Sequence, residues 1–185
     1  MDWTGKIPDK DKVNFIPVAS NLNWDEYFML QAMFASFKSK DPNTKVGCVF
    51  VDRNNHQITM GYNGAIAGID ESQMPWGNDK NVPEELQKYG YVMHSEANAI
   101  SHATASLEGA RGYVTLFPCN ECAKLIATKK VAEIVYLSDK YRDKPEIRMS
   151  KRIFDWAGVR YRQLEISEDH IDNLRNHLTT LLKEV

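Results

Sequence analysis

Residues 112–138, GYVTLFPCNECAKLIATKKVAEIVYLS, give the clearest indication of how this chain folds. Residues 112–117 and 132–138, at its two ends, are short apolar runs rich in β-branched and aromatic residues, which predicts two strands. Residues 120–129 between them predict a helix, and Pro118 marks the turn from the first strand into it. A strand, a helix and a second strand in this order form a βαβ unit, whose strands pair in parallel.

The elements around this unit extend the same alternation to both sides. Asn23, a good N-cap, precedes an apolar-periodic run that predicts a first helix ending before Pro42. Residues 46–51 and 57–62 predict two strands, and the turn-forming residues between them predict a hairpin. The other predicted elements are a strand at 159–164 and helices at about 95–106, 146–156 and 168–183.

This order of elements predicts the fold class. Parallel strands with helical crossovers, added to an initial hairpin, form an α/β fold in three layers, with a central mixed sheet of five strands. Residues 63–92 are rich in Gly, Pro, Asn and Asp and too long for a simple connection, so they predict part of an active-site wall. The predicted core face of the first helix consists of Trp24, Tyr27, Phe28, Gln31, Ala32 and Phe34.

The composition is that of a globular protein. Of the 185 residues, 43% are hydrophobic and 26% charged, and a chain of this length can bury a sizeable core. Residues 23–185 therefore predict a single domain, and residues 1–22, which show no sustained periodicity, predict an N-terminal arm. A net charge of −2 provides no positive field for a polyanion, which favours a small substrate over a nucleic acid polymer.

The sequence also indicates where the protein works. Its apolar runs are far shorter than the roughly 20 residues needed to span a bilayer, so we expect no membrane association. Residues 1–20 resemble neither a secretory signal nor a transit peptide. The sequence therefore predicts a cytoplasmic location.

His94, Cys119 and Cys122 are the predicted metal ligands. The chain has three cysteines, and the spacing of Cys119 and Cys122 suits a metal better than a disulfide in a reducing compartment. One imidazole and two thiolates leave zinc a fourth tetrahedral position for water, which separates catalytic zinc sites from structural ones. A structural site would need a fourth protein ligand, but Cys48 lies on the apolar face of the run 46–51, which indicates a buried residue instead.

Glu96 is the predicted catalytic residue. It follows His94 by two residues, close enough to exchange protons with water at the zinc ion without binding the metal itself. His-x-Glu together with Pro-Cys-x-x-Cys is the signature of zinc-dependent nucleobase deaminases, in which water replaces an exocyclic amine with a carbonyl oxygen. The two motifs therefore predict a hydrolytic deaminase.

Further segments narrow this class. They are WDEYFM at 24–29, SKDPNTKVG at 39–47, GYNG at 61–64, FPCNECAK at 117–124 and SDKY at 138–141. Together they resemble the deoxycytidylate (dCMP) deaminases of the cytidine/deoxycytidylate deaminase superfamily, and the similarity covers residues 24–165. Two residues depart from the family pattern: Ser95 stands where Ala is usual, and Cys48 where Ala or Gly is common. Both changes are small and leave the zinc chemistry in place.

The resemblance implies a three-layer α/β/α cytidine-deaminase-like fold with zinc as the catalytic cofactor. It implies hydrolysis of dCMP to dUMP and ammonia, which supplies dUMP for thymidylate synthesis. It further implies a homo-oligomer, often a hexamer, that is activated by dCTP and inhibited by dTTP, with Mg²⁺ accompanying the effector nucleotide. The substrate-binding residues that it implies are Asn43, Thr44, Asn63, at the sugar hydroxyl, and Tyr141, near the phosphate.

The sequence leaves three alternatives open. The first is that dCTP, alone or with dCMP, is the substrate, because the zinc apparatus reads only the base. The second is a polynucleotide cytosine deaminase, which would need basic patches and aromatic residues along the strand and is disfavoured by the near-neutral charge. The third is an inactive zinc-containing binding module, and the presence of Glu96 argues against it.

Overall fold

A computed structural model of the protein describes residues 22–184, so the predicted arm lies outside the described residues except for Leu22. The contacts of the chain group Asn23–Ile166 into one compact unit, which contains the sheet and the predicted site. The last helix, Glu168–Glu184, falls outside this unit. A single domain over residues 23–185 stays a prediction.

The helices and strands follow one another along the chain in the predicted order. They are α1 (Trp24–Ser36), β1 (Gly47–Val51), β2 (Gln57–Tyr62), α2 (Ser95–Ser101), β3 (Arg111–Leu116), α3 (Asn120–Thr128), β4 (Glu133–Ser138), α4 (Pro145–Ala157), β5 (Arg160–Gln163) and α5 (Glu168–Glu184). Short 3-10 turns at Glu71–Gln73, Glu84–Leu86 and Lys88–Gly90 interrupt the long loop. Within residues 22–184, no helix has both the length and the apolar character needed to cross a membrane.

One helix boundary differs clearly from the prediction. α2 ends at Ser101, not near residue 106, because the chain turns away at His102. The turn brings Leu107 into the core, where it is 2% exposed. Gly109 then has a φ of +75°, a left-handed conformation that favours glycine and excludes a continuing helix.

The central sheet has the strand order β2-β1-β3-β4-β5. β1 is antiparallel to both β2 and β3. β3, β4 and β5 are parallel, as two helical crossovers through α3 and α4 require. The predicted mixed sheet of five strands is therefore confirmed.

Helices cover both faces of this sheet. α1 packs on one face, where Val49 and Tyr113 are fully buried. α2, α3 and α4 cover the other face, where Phe50 and Val114 are fully buried. Successive strand residues point to opposite faces, so neighbouring residues of β1 and of β3 enter different layers. The three-layer α/β/α prediction is confirmed.

The predicted core face of α1 is correct for Phe28 and Ala32 and wrong for three aromatic residues. These are Trp24, Tyr27 and Phe34, which are 55%, 43% and 53% exposed. The helix lies so close to the sheet that a Cβ on Gly47 would stand 1.9 Å from the carbonyl oxygen of Ala32. The buried face of the helix also contains Phe28 and Met29, and at helical spacing Tyr27 and Phe34 lie on the opposite face.

Candidate active site

The predicted metal ligands lie together at the N-terminal ends of two helices. His94 is the N-cap of α2, and Cys119 is the N-cap of α3, directly after the buried Pro118. Cys122 lies in the first turn of α3. Unpaired backbone N–H groups and the positive end of the helix dipole favour ionised thiolates at such a position.

The distances between the donor atoms fit a tetrahedral zinc site. Nδ1 of His94 lies 3.3 Å from Sγ of Cys119 and 3.4 Å from Sγ of Cys122, and the three ligand atoms all lie within 4.8 Å of one another. Zinc bonds of about 2.3 Å to sulfur and about 2.0–2.1 Å to nitrogen, at tetrahedral angles, place nitrogen roughly 3.5 Å from sulfur. The three side chains therefore suit zinc and leave one coordination position for water or substrate.

Cys48 does not belong to this group of donors within the described residues. Its side chain is fully buried in the core under α2 and α3, as the sequence predicted. Burial raises the pKa of the Cys48 thiol well above its usual value, with a smaller contribution from the charge of Glu96. Cys48 therefore stays a neutral core residue, and the described part of the chain supplies three ligands, as a catalytic zinc site requires.

The protonation of the donor cluster favours a thiolate. Hydrogen bonds from Cys122 and from His94 lower the pKa of Cys119 to about 4, although its partial burial opposes this. The hydrogen bond to Cys119 and burial both raise the pKa of Cys122 well above its usual value. The hydrogen bond to Cys119 also raises the pKa of His94 to about 9. Cys119 is thus ionised near neutral pH, in the form that binds metal, and a bound cation has to displace protons from the other two ligands.

Glu96 lies beside these ligands on the first turn of α2 and is 4% exposed. Burial raises the pKa of its carboxyl group, although the charge of His94 opposes the shift. Oγ of Ser95 donates a hydrogen bond of 2.9 Å to Oε2 of Glu96. A buried carboxyl group with a raised pKa, fixed next to a metal site, is suited to accept and return a proton near neutral pH.

A cavity of about 380 Å³ opens over these groups. His94, Glu96 and Cys119 line it, while Cys122 lies behind them in the core. The predicted substrate-binding residues Asn43, Thr44, Asn63 and Tyr141 also line this cavity. Its volume falls in the range of about 300–1,000 Å³ that is usual for small-molecule sites. The structure thus places every sequence-predicted site residue in or directly behind one pocket.

Asn63 is held by the protein through both ends of its amide. Its Oδ1 accepts a hydrogen bond of 2.7 Å from the backbone N–H of Val46. Its Nδ2 donates to the carbonyl oxygen of Thr44 at 2.9 Å and to Oδ2 of Asp41 at 3.3 Å. Asn63 therefore joins β2 to the turn before β1, and its role at a sugar hydroxyl stays a prediction.

Tyr141 lies at the cavity between cationic side chains. The Nζ atoms of Lys140 and Lys144 lie 4.9 Å and 4.5 Å from the centre of its ring. A side-chain hydrogen bond with Thr44 is the main reason that the pKa of the Tyr141 hydroxyl is lowered. Lys144 also lines the cavity, so this end of the pocket carries the positive charge that suits a phosphate.

The predicted contribution of residues 63–92 to the wall is confirmed for five residues, and one of them, Lys88, forms an ion pair that the sequence analysis missed. The five are Asn63, Asn78, Lys88, Tyr89 and Val92. Lys88 is 5% exposed and forms an ion pair with Asp41, which also lines the cavity. No local spacing signals this pair, because its members lie 47 positions apart.

The fold and the donor set fit a deaminase with a zinc-binding region. A family model described as the cytidine and deoxycytidylate deaminase zinc-binding region matches residues 22–138, which is more than half of the chain. The protein belongs to this family.

Particular relatives agree with this assignment. A protein named "Probable deoxycytidylate deaminase" from Drosophila melanogaster is 46% identical over 147 residues, which cover 77% of this chain and 72% of that protein. Deoxycytidylate deaminase from Homo sapiens is 41% identical over 144 residues, covering 77% of this chain and 80% of the human one. The crystal structure of dCMP deaminase from the cyanophage S-TIM5, in complex with dCMP and dUMP, supports the fold, with a TM-score of 0.60 and 24% identity over 75% of this chain and 95% of that one.

Proposed function

We propose that the protein hydrolyses dCMP to dUMP and ammonia, using zinc held by His94, Cys119 and Cys122. The observation that carries the proposal is the convergence of these three donors and Glu96 at the base of one cavity, with Cys122 directly behind it and the predicted nucleotide-binding residues in its other wall. Relatives named deoxycytidylate deaminase, at 41–46% identity, support dCMP as the substrate.

In this proposal the residues of the chain divide the chemical work. Zinc, when bound, supplies a polarised and acidified water and positive charge beside the reacting carbon. Glu96 accepts a proton from the attacking water and delivers it to the ring nitrogen of cytosine. The bond from the ring carbon to oxygen forms in this first step. Glu96 then takes the remaining proton of the added hydroxyl group and gives it to the amine, so that the bond from the ring carbon to nitrogen breaks, a carbonyl group remains and ammonia leaves. The raised pKa of Glu96 suits this exchange in both directions.

The remaining wall of the cavity binds the nucleotide in this proposal. Asn43, Thr44 and Asn63 face the sugar, and Tyr141 lies at the phosphate. Thr44 and Tyr141 are joined by a hydrogen bond, as adjacent contacts to the sugar and the phosphate of one nucleotide would require. The cation of Lys144 next to the Tyr141 ring supplies charge for the phosphate.

The finer features implied by the family resemblance belong to the same proposal. They are a cytoplasmic enzyme, a homo-oligomer of hexameric form, activation by dCTP, inhibition by dTTP with Mg²⁺, and supply of dUMP for thymidylate synthesis. The main competing substrate is dCTP, because the base-reading part of the cavity does not distinguish it from dCMP.

The test is ammonia release from zinc-loaded protein with dCMP, dCTP, deoxycytidine and a cytosine-containing single strand. Each substrate is assayed alone and with dCTP or dTTP and Mg²⁺ as effectors. Turnover of dCMP that is raised by dCTP and lowered by dTTP is the expected result. Turnover of dCTP in place of dCMP contradicts the substrate assignment, and silence on all four contradicts the enzymatic function.

A further inference from the structure

A buried ion pair lies in the wall of the cavity, away from the metal ligands. Nζ of Lys88 lies 2.8 Å from Oδ1 and 2.6 Å from Oδ2 of Asp41. The two side chains are only 7% and 4% exposed. Two buried charges gain from each other only when their geometry is good and their other hydrogen-bonding capacity is satisfied, so a pair of this kind calls for further partners.

Asp41 has these partners, and they are the predicted nucleotide-binding residues. Its Oδ1 accepts hydrogen bonds from the backbone N–H groups of Asn43 at 2.8 Å and Thr44 at 3.1 Å. Its Oδ2 accepts from Nδ2 of Asn63 at 3.3 Å. Burial alone would raise the pKa of Asp41, but the hydrogen bonds from Lys88 and from the two amides lower it, so the carboxylate is ionised at neutral pH.

Lys88 in turn fixes the long loop on its own side. Its backbone N–H donates to the carbonyl oxygen of Gly77 at 2.9 Å, and its carbonyl oxygen accepts from Tyr91 at 3.0 Å and from Val92 at 2.9 Å. Tyr89 and Val92, which adjoin these contacts, line the cavity. One side chain therefore connects the loop wall of the pocket to the turn that follows Asp41.

We infer that Lys88 is a positioning residue, which acts through Asp41 to hold Asn43, Thr44 and Asn63 where they meet the nucleotide. The inference rests on the proposed function, because it assigns those three residues to the sugar side of the substrate. Lys88 acts on substrate affinity and not on the chemical step, since the contacts of its ammonium group are to Asp41 and not to Glu96. Both oxygens of Asp41 hold the ammonium group and balance its charge, so the inference assigns Lys88 to positioning and not to the phosphate.

The test compares Lys88→Met, Asp41→Asn and the double variant with the zinc-loaded wild type. Two kinetic quantities are measured: the KM for dCMP, and the inhibition constant of deoxycytidine, which lacks the phosphate. We expect Lys88→Met to raise the KM and the inhibition constant by about tenfold each, because misplacing one hydrogen-bonding group weakens binding by about this factor. The kcat should change less than about threefold. The double variant should recover part of this loss, because it no longer leaves a buried carboxylate without its cation.

Three outcomes of these measurements, together with the melting temperatures of the variants, would overturn the inference. A loss confined to dCMP, with deoxycytidine unaffected and no recovery in the double variant, would make Lys88 a phosphate ligand. A fall in kcat with unchanged KM would place it in the chemical step. A lower melting temperature with unchanged KM and inhibition constant would show that the pair only stabilises the fold.

Hydrogen exchange gives a second readout that needs no turnover. Lys88→Met should speed exchange at the amides of Asn43 and Thr44, which donate to Asp41. The matched control is Lys40→Met, which removes an exposed ion pair of 2.6 Å between Lys40 and Glu71, linking the same two segments. Equal exchange in both variants would overturn the inference even if the wild type fails to deaminate dCMP. If Lys88→Met does not fold, Asp41→Asn and the double variant carry the same exchange comparison.

Discussion

The base of the cavity and its nucleotide wall are built in different ways. At the base, His94 and Cys119 are N-caps of helices and Glu96 lies in a first helical turn, so their positions follow from local sequence. In the wall, the turn after Asp41 and the loop around Lys88 contain no strand and nothing longer than single 3-10 turns, and a buried ion pair joins them. The metal-ligand and acid–base residues of the proposed site are therefore encoded in short motifs, whereas the proposed fit to the nucleotide depends on long-range contacts.

Removal of a metal ligand is the most severe way to test the base. Cys119→Ala should reduce the zinc content from about one ion per chain to near zero, because two remaining donors do not form a tetrahedral site, and activity should fall to background. Zinc analysis and ammonia release measure both. Cys48→Ala is the control and should keep its zinc, since Cys48 is a core residue outside the donor group. Full zinc content in Cys119→Ala would refute the ligand set.

The next largest effect should come from the proton carrier. Glu96→Gln keeps the size of the side chain and removes its acid–base function, so kcat should fall by about 10²–10⁴-fold while zinc content and KM change little. Steady-state kinetics on zinc-loaded protein provide the measurement. Glu108→Gln, which removes an exposed carboxylate that pairs with Lys130, should leave kcat unchanged. If Glu96→Gln kept the kcat of the wild type, Glu96 would not be the residue that transfers the proton.

A substitution in the wall should weaken the binding of dCMP and leave the chemical step at the base of the cavity nearly unchanged. Tyr141→Phe keeps the ring between its lysines but loses the hydroxyl group that bonds to Thr44. We expect KM for dCMP to rise by about two- to tenfold, the usual worth of one hydrogen bond, with kcat nearly constant. Tyr27→Phe, on the exposed side of α1, is the matched control. A change in kcat alone would contradict the separation of base from wall.

The smallest effect is expected within the base itself. Ser95→Ala removes the 2.9 Å hydrogen bond to Glu96 but leaves Glu96 on the same rigid helical turn. We expect kcat to fall by less than about tenfold, with zinc content unchanged. Ser101→Ala, which removes a hydroxyl group bonded to the carbonyl oxygen of Asn98 at the other end of α2, should have no effect on kcat. A loss as large as that of Glu96→Gln would show that Ser95 is itself essential.

The sequence was sufficient for the sheet and for the base because both depend on local patterns. The run 112–138 determines a parallel unit, and Cys119 and Cys122 lie at the helix start within it. The sequence was less informative where the burial of a side chain depends on how two elements fit together in space. The periodicity of α1 does not reveal which face packs on the sheet, where Gly47 lets Ala32 come close while Trp24 and Phe34 remain exposed.

The wall could not be fully predicted for the same reason. Asn43, Thr44, Asn63 and Tyr141 were found only through resemblance to a family, and they do line the cavity. The pairing of Lys88 with Asp41 leaves no periodic or spacing signal, because a lysine in a polar loop is usually solvated. Its burial becomes visible only when the loop is folded over the turn.

The bridge between Gly64 and Met93 has a consequence for the evolution of such proteins. These two residues exchange backbone hydrogen bonds of 3.1 Å and 2.9 Å, which closes the long loop at its base, directly before His94. The cost of closing a loop rises only slowly with its length, so exposed parts of the closed segment, away from the buried Met74 and Lys88, can be lengthened or shortened with little change in stability. Descendants of one ancestor can therefore acquire new substrate preferences in this loop while they inherit the metal site intact.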